Sequence, residues 1–287
     1  MIKYFIKQVT PPCLISLARK LRSKIVSTQF YGVEGNFATW QEALDFCANH
    51  QHKEAYESFD ILEKVANAIQ EVRKGNAEFE RDSFLFYKKD YNFQLLSALF
   101  LAFNGIDGDE SIQVVDFGGS LGSTFFQNRS LFNTMNRSVV WNVIEQKQFV
   151  ERGRKEVPEI YFYNTIEEYI DSGGQCDILL LSSVLEYMEY PYEILRNLLK
   201  YKWKYIIIER SQYSPYGEDR IMVQTVPPTI YDAQYPLWLR SEDKQHNLLS
   251  ENGYDKILDW ILPFSIIYKD ERGSQVIPFK GFMYKII

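Results

Sequence analysis

Residues 114–122, VVDFGGSLG, end a β-branched run on an acid, Asp116, and then place Gly118, Gly119 and Gly122 ahead of a helix beginning near Ser123. Glycine permits the sharp turn that carries a strand straight into a helix, and it lets a ligand lie against the backbone. The next apolar run, VVWNVIE, closes on Glu145, 23 residues beyond Gly122. An acid there ends the neighbouring strand and can accept hydrogen bonds from both hydroxyls of a ribose. Strand, glycine turn, helix, strand and acid, in that order, predict a nucleoside-binding unit. The bland alternative is a tight connection followed by an exposed acid.

The pattern continues downstream. SIQVVDF, SVVWNVIE, EIYFYN, CDILLLSS and KYIIIER are short apolar or β-branched runs, each followed by a turn or a helical pattern. Such alternation predicts an α/β fold with a parallel sheet buried on both faces. The tail segments DKILDWILPFSIIY and IPFKGFMYKII have no helix between them and read as two paired strands closing the sheet edge. Upstream, apolar residues recur every three or four positions at Ala43, Leu44 and Phe46, at Ile61, Leu62, Val65 and Ile69, and at Leu95, Leu96, Leu99 and Phe100. That spacing predicts helices over most of 40–103, preceded by a loop at 27–39. The expected organisation is a basic segment at 1–30, a helical cap at 31–104 and a core at 105–287, with an insert at 210–240.

The 287 residues are 46% apolar and 24% charged, with 20 Phe, 20 Tyr and 5 Trp. These proportions belong to a globular chain and exclude a disordered, collagen-like or coiled-coil one. A net charge of −6 argues against nucleic acid as a partner. The charge is uneven, because residues 1–33 contain Lys3, Lys7, Arg19, Lys20, Arg22 and Lys24 and no acid. With Leu14, Leu17, Leu21 and Ile25 at helical spacing, the segment 1–26 is expected to contact the inner face of the membrane peripherally. The same stripe would equally pack on the cap or on a second subunit, which leaves an oligomer open. Cys13, Cys47 and Cys176 form no CxxC pair and no metal-ligand pattern, so no metal is expected and a reducing, cytoplasmic location is. No apolar run approaches the roughly 20 residues needed to span a bilayer. Pro11-Pro12 interrupts the leading apolar stretch and argues against a signal peptide.

The turn also separates cofactors. A dinucleotide site wants G-x-G-x-x-G, and its first glycine falls here on Phe117. An acid one residue earlier suits a ligand that lacks a pyrophosphate but carries an ammonium group, as S-adenosylmethionine does. The run Asp116-Phe117-Gly118-Gly119-Ser120-Leu121-Gly122 resembles the first motif of class I S-adenosylmethionine-dependent methyltransferases, D-x-G-x-G-x-G, with Ser120 at the middle glycine. The chain is more specifically similar to a bacterial methyltransferase family encoded among surface-polysaccharide genes. The marks of that resemblance are TWQEA at 39–43, ERDSFLF at 80–86, VVDFGGSLG, WNVIEQKQFVERGRK at 141–155, LLLSSVLEYMEYPY at 179–192 and VQTVPPTIYDAQYPLW at 223–238. The resemblance implies a Rossmann-like fold with a mostly parallel seven-stranded sheet and an N-terminal helical cap. It implies S-adenosylmethionine as cofactor and leaves the acceptor open.

Expected cofactor contacts are Asp116, Gly118, Gly119, Ser120, Gly122 and Glu145. By family geometry, Asn164 reads the adenine edge, and Ser182 and Ser183 lie under the methyl group; each serves equally well as a helix cap. The stretch 210–240 is a long connection at the carboxyl ends of the strands, where a ligand site is usual. It supplies Arg210, Asp219, Arg220, Tyr231, Tyr235 and Trp238 as acceptor contacts, or else forms a structural flap. Glu80 and Arg81 are expected in a lid over the site, or in a surface ion-pair network. Asp219, Arg220 and His246 are the candidate acid–base groups for catalysis. The expected activity is methyl transfer to a hydroxyl of a sugar or an assembling surface glycan. The alternatives are a methyltransferase for another small metabolite and a non-catalytic scaffold.

Overall fold

The computed structural model describes residues 31–49, 59–108, 111–227 and 233–287. The expectations for segment 1–26, for Cys13 and for Tyr231 lie outside the described residues. Residues 32–287 form one compact unit.

Strand β1 (Gly32–Phe37) leads into helices α1 (Trp40–Asn49) and α2 (Phe59–Arg73). A short hairpin, β2 (Phe79–Arg81) and β3 (Phe84–Phe86), precedes α3 (Phe93–Asn104). The alternating part then runs β4 (Ile112–Phe117), α4 (Ser123–Phe132), β5 (Val139–Ile144), α5 (Lys147–Glu156), β6 (Tyr161–Tyr163), α6 (Ile166–Asp171) and β7 (Ile178–Ser182). A single 3-10 turn, Leu185–Tyr187, and α7 (Pro191–Leu199) lead to β8 (Tyr205–Ser211). The chain ends β9 (Arg220–Thr225), β10 (Gln234–Leu239), α8 (Glu242–Glu251), β11 (Tyr254–Asp270) and β12 (Gly273–Ile286).

The main sheet has ten strands in the order β10-β9-β1-β11-β12-β8-β7-β4-β5-β6. Strands β6, β5, β4, β7 and β8 are parallel, and β12 is antiparallel to both β8 and β11. These seven strands are the expected sheet, and all five runs read as strands upstream of the tail fall in it. The correction is that the sheet does not stop at the tail hairpin. Strand β1 pairs parallel with β11, β9 pairs with β1, and β10 pairs with β9. One of these three strands comes from the segment expected as a helical cap and two come from the expected insert. The segment 31–104 therefore contains strand β1 as well as helices, and 210–240 contains strands β9 and β10.

The long tail hairpin makes this extension possible. The inner half of β12 pairs with β8, from Lys285↔Tyr205 to Lys280↔Ser211. The outer half of β11 pairs with β1 at Val33↔Tyr268. The β11–β12 register shifts between Ile261 and Ser265, on either side of Pro263, which has no N–H for the ladder.

One face of the parallel strands buries Val114, Trp141, Val143, Ile178 and Ile207 against α2, α3, α4 and α5. The other buries Val115, Leu179, Leu181, Ile206 and Ile208 with Leu195, Leu198, Trp203 and Leu248. Each such side chain contributes about 1.5–3 kcal/mol on leaving water. The added strands have cores of their own, one built on Val33, Met222, Leu237, Leu239 and Tyr268 and another on Ala43, Cys47, Ile221 and Val223. The α1 stripe of the sequence thus covers an outer strand, β9. From β4 the chain winds one way through β5 and β6 and the other way through β7 and β8. The crevice at the carboxyl ends of β4 and β7 is the switch point where open α/β sheets bind ligands.

Candidate functional site

The glycine turn lies at that crevice. Gly122, at φ 90°, stands before the first turn of α4 in the left-handed region. Gly119 is needed for a different reason: a Cβ there would lie 2.6 Å from Asp116 Cγ. The Asp116 carboxyl is thus tucked directly beneath the turn, where it accepts a hydrogen bond from Trp141 Nε1 at 3.2 Å. Ser120, which replaces the middle glycine of the motif, keeps a positive φ of 53°. A side chain in that region costs about 1–2 kcal/mol, so this departure retains the backbone shape at an energetic cost.

Three carboxyl groups lie at or near the carboxyl ends of three strands around the turn. Asp116 is 2% exposed at β4 and Glu209 is fully buried on β8. Glu145 follows β5, where the backbone N–H of Gln146 donates to it at 2.5 Å and that of Ser120 also binds it. Burial pushes each of the three up to about 7. The negative charges of Glu145 and Glu209 raise Asp116 further. Arg81 is the cation that acts on both Asp116 and Glu209, in the opposite direction. Glu209 was not among the sequence candidates. Its signal was the acid after the apolar run of KYIIIER, near the carboxyl end of its strand as Asp116 and Glu145 are of theirs. Asn92 Nδ2 donates to it at 2.5 Å and Ser182 Oγ at 2.8 Å.

The β2–β3 hairpin closes over this cluster. Its two-residue turn, Asp82-Ser83, has φ of 50° and 68°, the positive pair that lets strands reverse in so short a span. The fully buried Glu80 accepts hydrogen bonds from the Ser123 hydroxyl, on the first residue of α4, and from the Ser83 N–H at 3.1 Å. Burial, opposed by these bonds, leaves it at about 7. Arg81 donates to Gln127 Oε1 at 2.5 Å, and Gln127 in turn donates to the Asp90 carbonyl at 2.6 Å. Both expected lid residues are therefore brought to the glycine turn.

A buried polar network supports the crevice from the α8 side. Ser183, at φ 52°, donates through Oγ to Glu186 at 3.3 Å, and Glu186 also accepts from Ser211 Oγ at 3.3 Å. Arg240 donates to Ser211 Oγ at 3.2 Å and to Gln245 Oε1 at 2.5 Å. Glu186 and Arg240 are both fully buried. Neither was among the sequence candidates: Glu186 lies within the LLLSSVLEYMEYPY stretch but was given no role there, Arg240 stands in no motif, and only the fold brings them together.

Several expected residues lie in other arrangements. Asp219 holds a structural junction: Tyr192 OH donates to it at 2.5 Å, the Ser241 N–H at 2.7 Å and Lys244 Nζ at 2.6 Å. Arg220 is buried in an ion-pair network with Glu218 at 2.7 Å and Asp270 at 3.0 Å. Its guanidinium stacks over Tyr216, at the far end of the tail hairpin. His246 packs on Phe282, bonds Tyr284 OH at 2.6 Å and has its pKa lowered by burial. Tyr235 meets Tyr187 edge-on, and Trp238 stacks near Trp40 while donating to the Glu189 carbonyl at 3.1 Å. Arg210 turns its guanidinium over Phe264. Asn164 binds Glu168 through both its backbone and its side chain, and the cap of α6 is Thr165. Among the described residues, no group of three or more His, Cys, Asp or Glu is placed to hold a metal ion, and no helix is long and apolar enough to cross a membrane.

No protein-family model and no curated protein sequence matches the chain. Among solved structures it is similar to LepI in complex with S-adenosylmethionine, at 12% identity and a TM-score of 0.43, over 66% of this chain. It spans 46% of LepI, about half that protein's length. It is also similar to the N-terminal domain of EvdMO1, solved in the presence of S-adenosylhomocysteine and D-fucose, at 12% identity and a TM-score of 0.45, over 82% of this chain and 100% of that domain. A third likeness is to magnesium protoporphyrin IX methyltransferase from Synechocystis PCC 6803 with bound S-adenosylhomocysteine, at 11% identity and a TM-score of 0.43, over 86% and 95%. The Rossmann-like class of the fold rests on the strand order itself: parallel strands wound both ways from a switch point, with a glycine turn at its mouth.

Proposed function

We propose that the protein is an S-adenosylmethionine-dependent methyltransferase. The observation that carries this reading is the ring of strand-end carboxyl groups, Asp116, Glu145 and Glu209, around a glycine turn, with Arg81 as the cation facing two of them. A buried negative cluster of this kind suits a cationic nucleoside and opposes a pyrophosphate. S-adenosylmethionine fits that donor set, and it supplies a methyl group already activated on a positively charged sulfur.

Asp116, beneath Gly119, faces the ammonium end, and Glu145 takes the ribose hydroxyls. Ser182 and Ser183, at the end of β7, border the position where the methyl group is transferred. The hairpin carrying Glu80 and Arg81 keeps water from the crevice. For a reaction whose leaving group is already activated, this positioning is much of the catalysis. The acceptor we favour is a hydroxyl of a sugar or of an assembling surface glycan, on the strength of the family resemblance. Such a role places the protein at the cytoplasmic side of the membrane, with residues 1–26 as its peripheral contact.

Isothermal calorimetry tests the cofactor. S-adenosylmethionine and S-adenosylhomocysteine should both bind, and Glu145→Ala should weaken both by about 1–3 kcal/mol, the loss of paired ribose hydroxyls. Absence of affinity for either ligand in the wild type would defeat the reading. Incorporation of labelled methyl into nucleotide sugars or lipid-linked glycans tests the acceptor.

A further inference from the structure

The carboxyl group of Glu209 is held at both oxygens. One oxygen accepts from Asn92, which also caps the start of α3 by accepting from the Leu95 N–H at 3.1 Å. The other accepts from Ser182, the last residue of β7. Strand register places Glu209 directly beside Ser182, and Asp116 beside Leu180 two residues earlier on the same strand. Glu209 and Asp116 therefore flank β7 from opposite sides, one on β8 and the other on β4. Each of its oxygens retains a second lone pair. The charged groups acting on it are Arg81 from the hairpin, Glu186 from the 3-10 turn and Asp116 from β4.

We propose that Glu209 is the proton acceptor of the methyl transfer. The inference rests on the methyltransferase reading above. In the step, a lone pair of the acceptor oxygen forms a bond to the methyl carbon while the carbon–sulfur bond breaks and its electron pair stays on sulfur. The acceptor's O–H proton passes to Glu209. A carboxylate facing a sulfonium becomes a carboxylic acid facing a thioether, so the buried crevice gains no net charge. Before the reaction the sulfonium helps to keep Glu209 ionised, and afterwards that positive charge is gone. The proton affinity of the base thus rises as the methyl group leaves. In the free protein Arg81 is the cation that acts on Glu209, and the ligand's positive sulfur takes over that role. Glu209 then returns its proton to water when the site opens.

Proton linkage tests this without a known acceptor. Calorimetry of the full chain in buffers of different ionisation enthalpy counts the protons released on binding. Asp116 and Glu145 face parts common to S-adenosylmethionine and S-adenosylhomocysteine, and they contribute equally to both counts. Glu209 faces the sulfur, where the two ligands differ by one charge. With its pKa at about 7, S-adenosylmethionine should release about half a proton more than S-adenosylhomocysteine at pH 7. The excess should vanish at pH 9 and in Glu209→Gln, an isosteric change that can keep both hydrogen bonds. Equal proton release by the two ligands in the wild type overturns the proposal, even if the variant does not fold. An excess that persists in Glu209→Gln overturns it as well. Failure of both ligands to bind overturns the methyltransferase reading and this inference together, whereas binding with equal release overturns this inference alone.

Discussion

Replacing Arg240 by Met should cost the protein about 3–5 kcal/mol at pH 8. Arg240 is fully buried on the α8 side of the crevice, and Met fills much of its volume without its charge. The Ser211 hydroxyl bridges Arg240 and Glu186, with legs of 3.2 Å and 3.3 Å. The bonded nitrogen and oxygen are then at most about 6.5 Å apart, and the attraction at an effective dielectric of about 20 is at least about 2.5 kcal/mol. Loss of the bonds to Ser211 and Gln245 adds about 1–2 kcal/mol. The sum agrees with the usual cost of stranding one member of a buried charge pair. It is a large part of the 5–15 kcal/mol by which a domain is stable.

The pH dependence fixes the sign. Burial raises the Glu186 pKa and the charge of Arg240 opposes that rise. Removing Arg240 raises it further, so the folded variant takes up a proton at higher pH than the unfolded chain does. Its deficit should be greatest at pH 8 and should shrink as pH falls toward the ordinary carboxylate range. Urea denaturation at pH 8 and pH 5.5 reads both effects. A loss below 1 kcal/mol at pH 8, or a larger loss at pH 5.5, would refute the reasoning.

The raised carboxyl groups predict that the ligand-free protein is more stable at pH 6 than at pH 8. Glu80, Asp116, Glu145 and Glu209 bind protons more tightly when folded, and that stability is lost as pH rises through about 7; denaturation midpoints at the two pH values check it. Affinity for S-adenosylmethionine should move the opposite way, falling by up to about tenfold per pH unit below 7 for each carboxyl group that must ionise, and a flat calorimetric profile from pH 6 to 8 would count against the site. Gly119→Ala should push Asp116 off its Trp141 bond, lowering cofactor affinity at least tenfold and stability by about 1–3 kcal/mol; a crystal structure with Asp116 unmoved would contradict this. Arg220→Ala should lower the thermal midpoint by several degrees and leave S-adenosylmethionine affinity unchanged, since its partners are the far end of the tail hairpin and Tyr216; unchanged stability would restore it as an acceptor contact.

Local pattern alone determined the alternating half of this chain. Five β-branched runs, the helical segments between them and the glycine turn with its two acids are each written in consecutive residues, because a buried parallel strand needs continuous apolar sequence and a strand-to-helix turn needs glycine. They fell where expected, and so did the pairing of the tail strands. What tertiary structure decided is everything whose partner is distant. Strand β1, with Gly32 and Gly35 at positive φ, has no strand signature and exists because β9 and the outer half of β11 pair with it. Asp219, Arg220 and His246 have the chemistry of catalytic groups, but the fold gives them structural partners in Lys244, Asp270 and Tyr284. Glu209 reads as one acid after an apolar strand; its clamp by Asn92 and Ser182 joins residues 117 and 27 positions away. Sequence order carries periodicity and turn chemistry. It does not carry which distant side chains share one low-dielectric crevice, and that sharing sets the proton affinity of each carboxyl group in it.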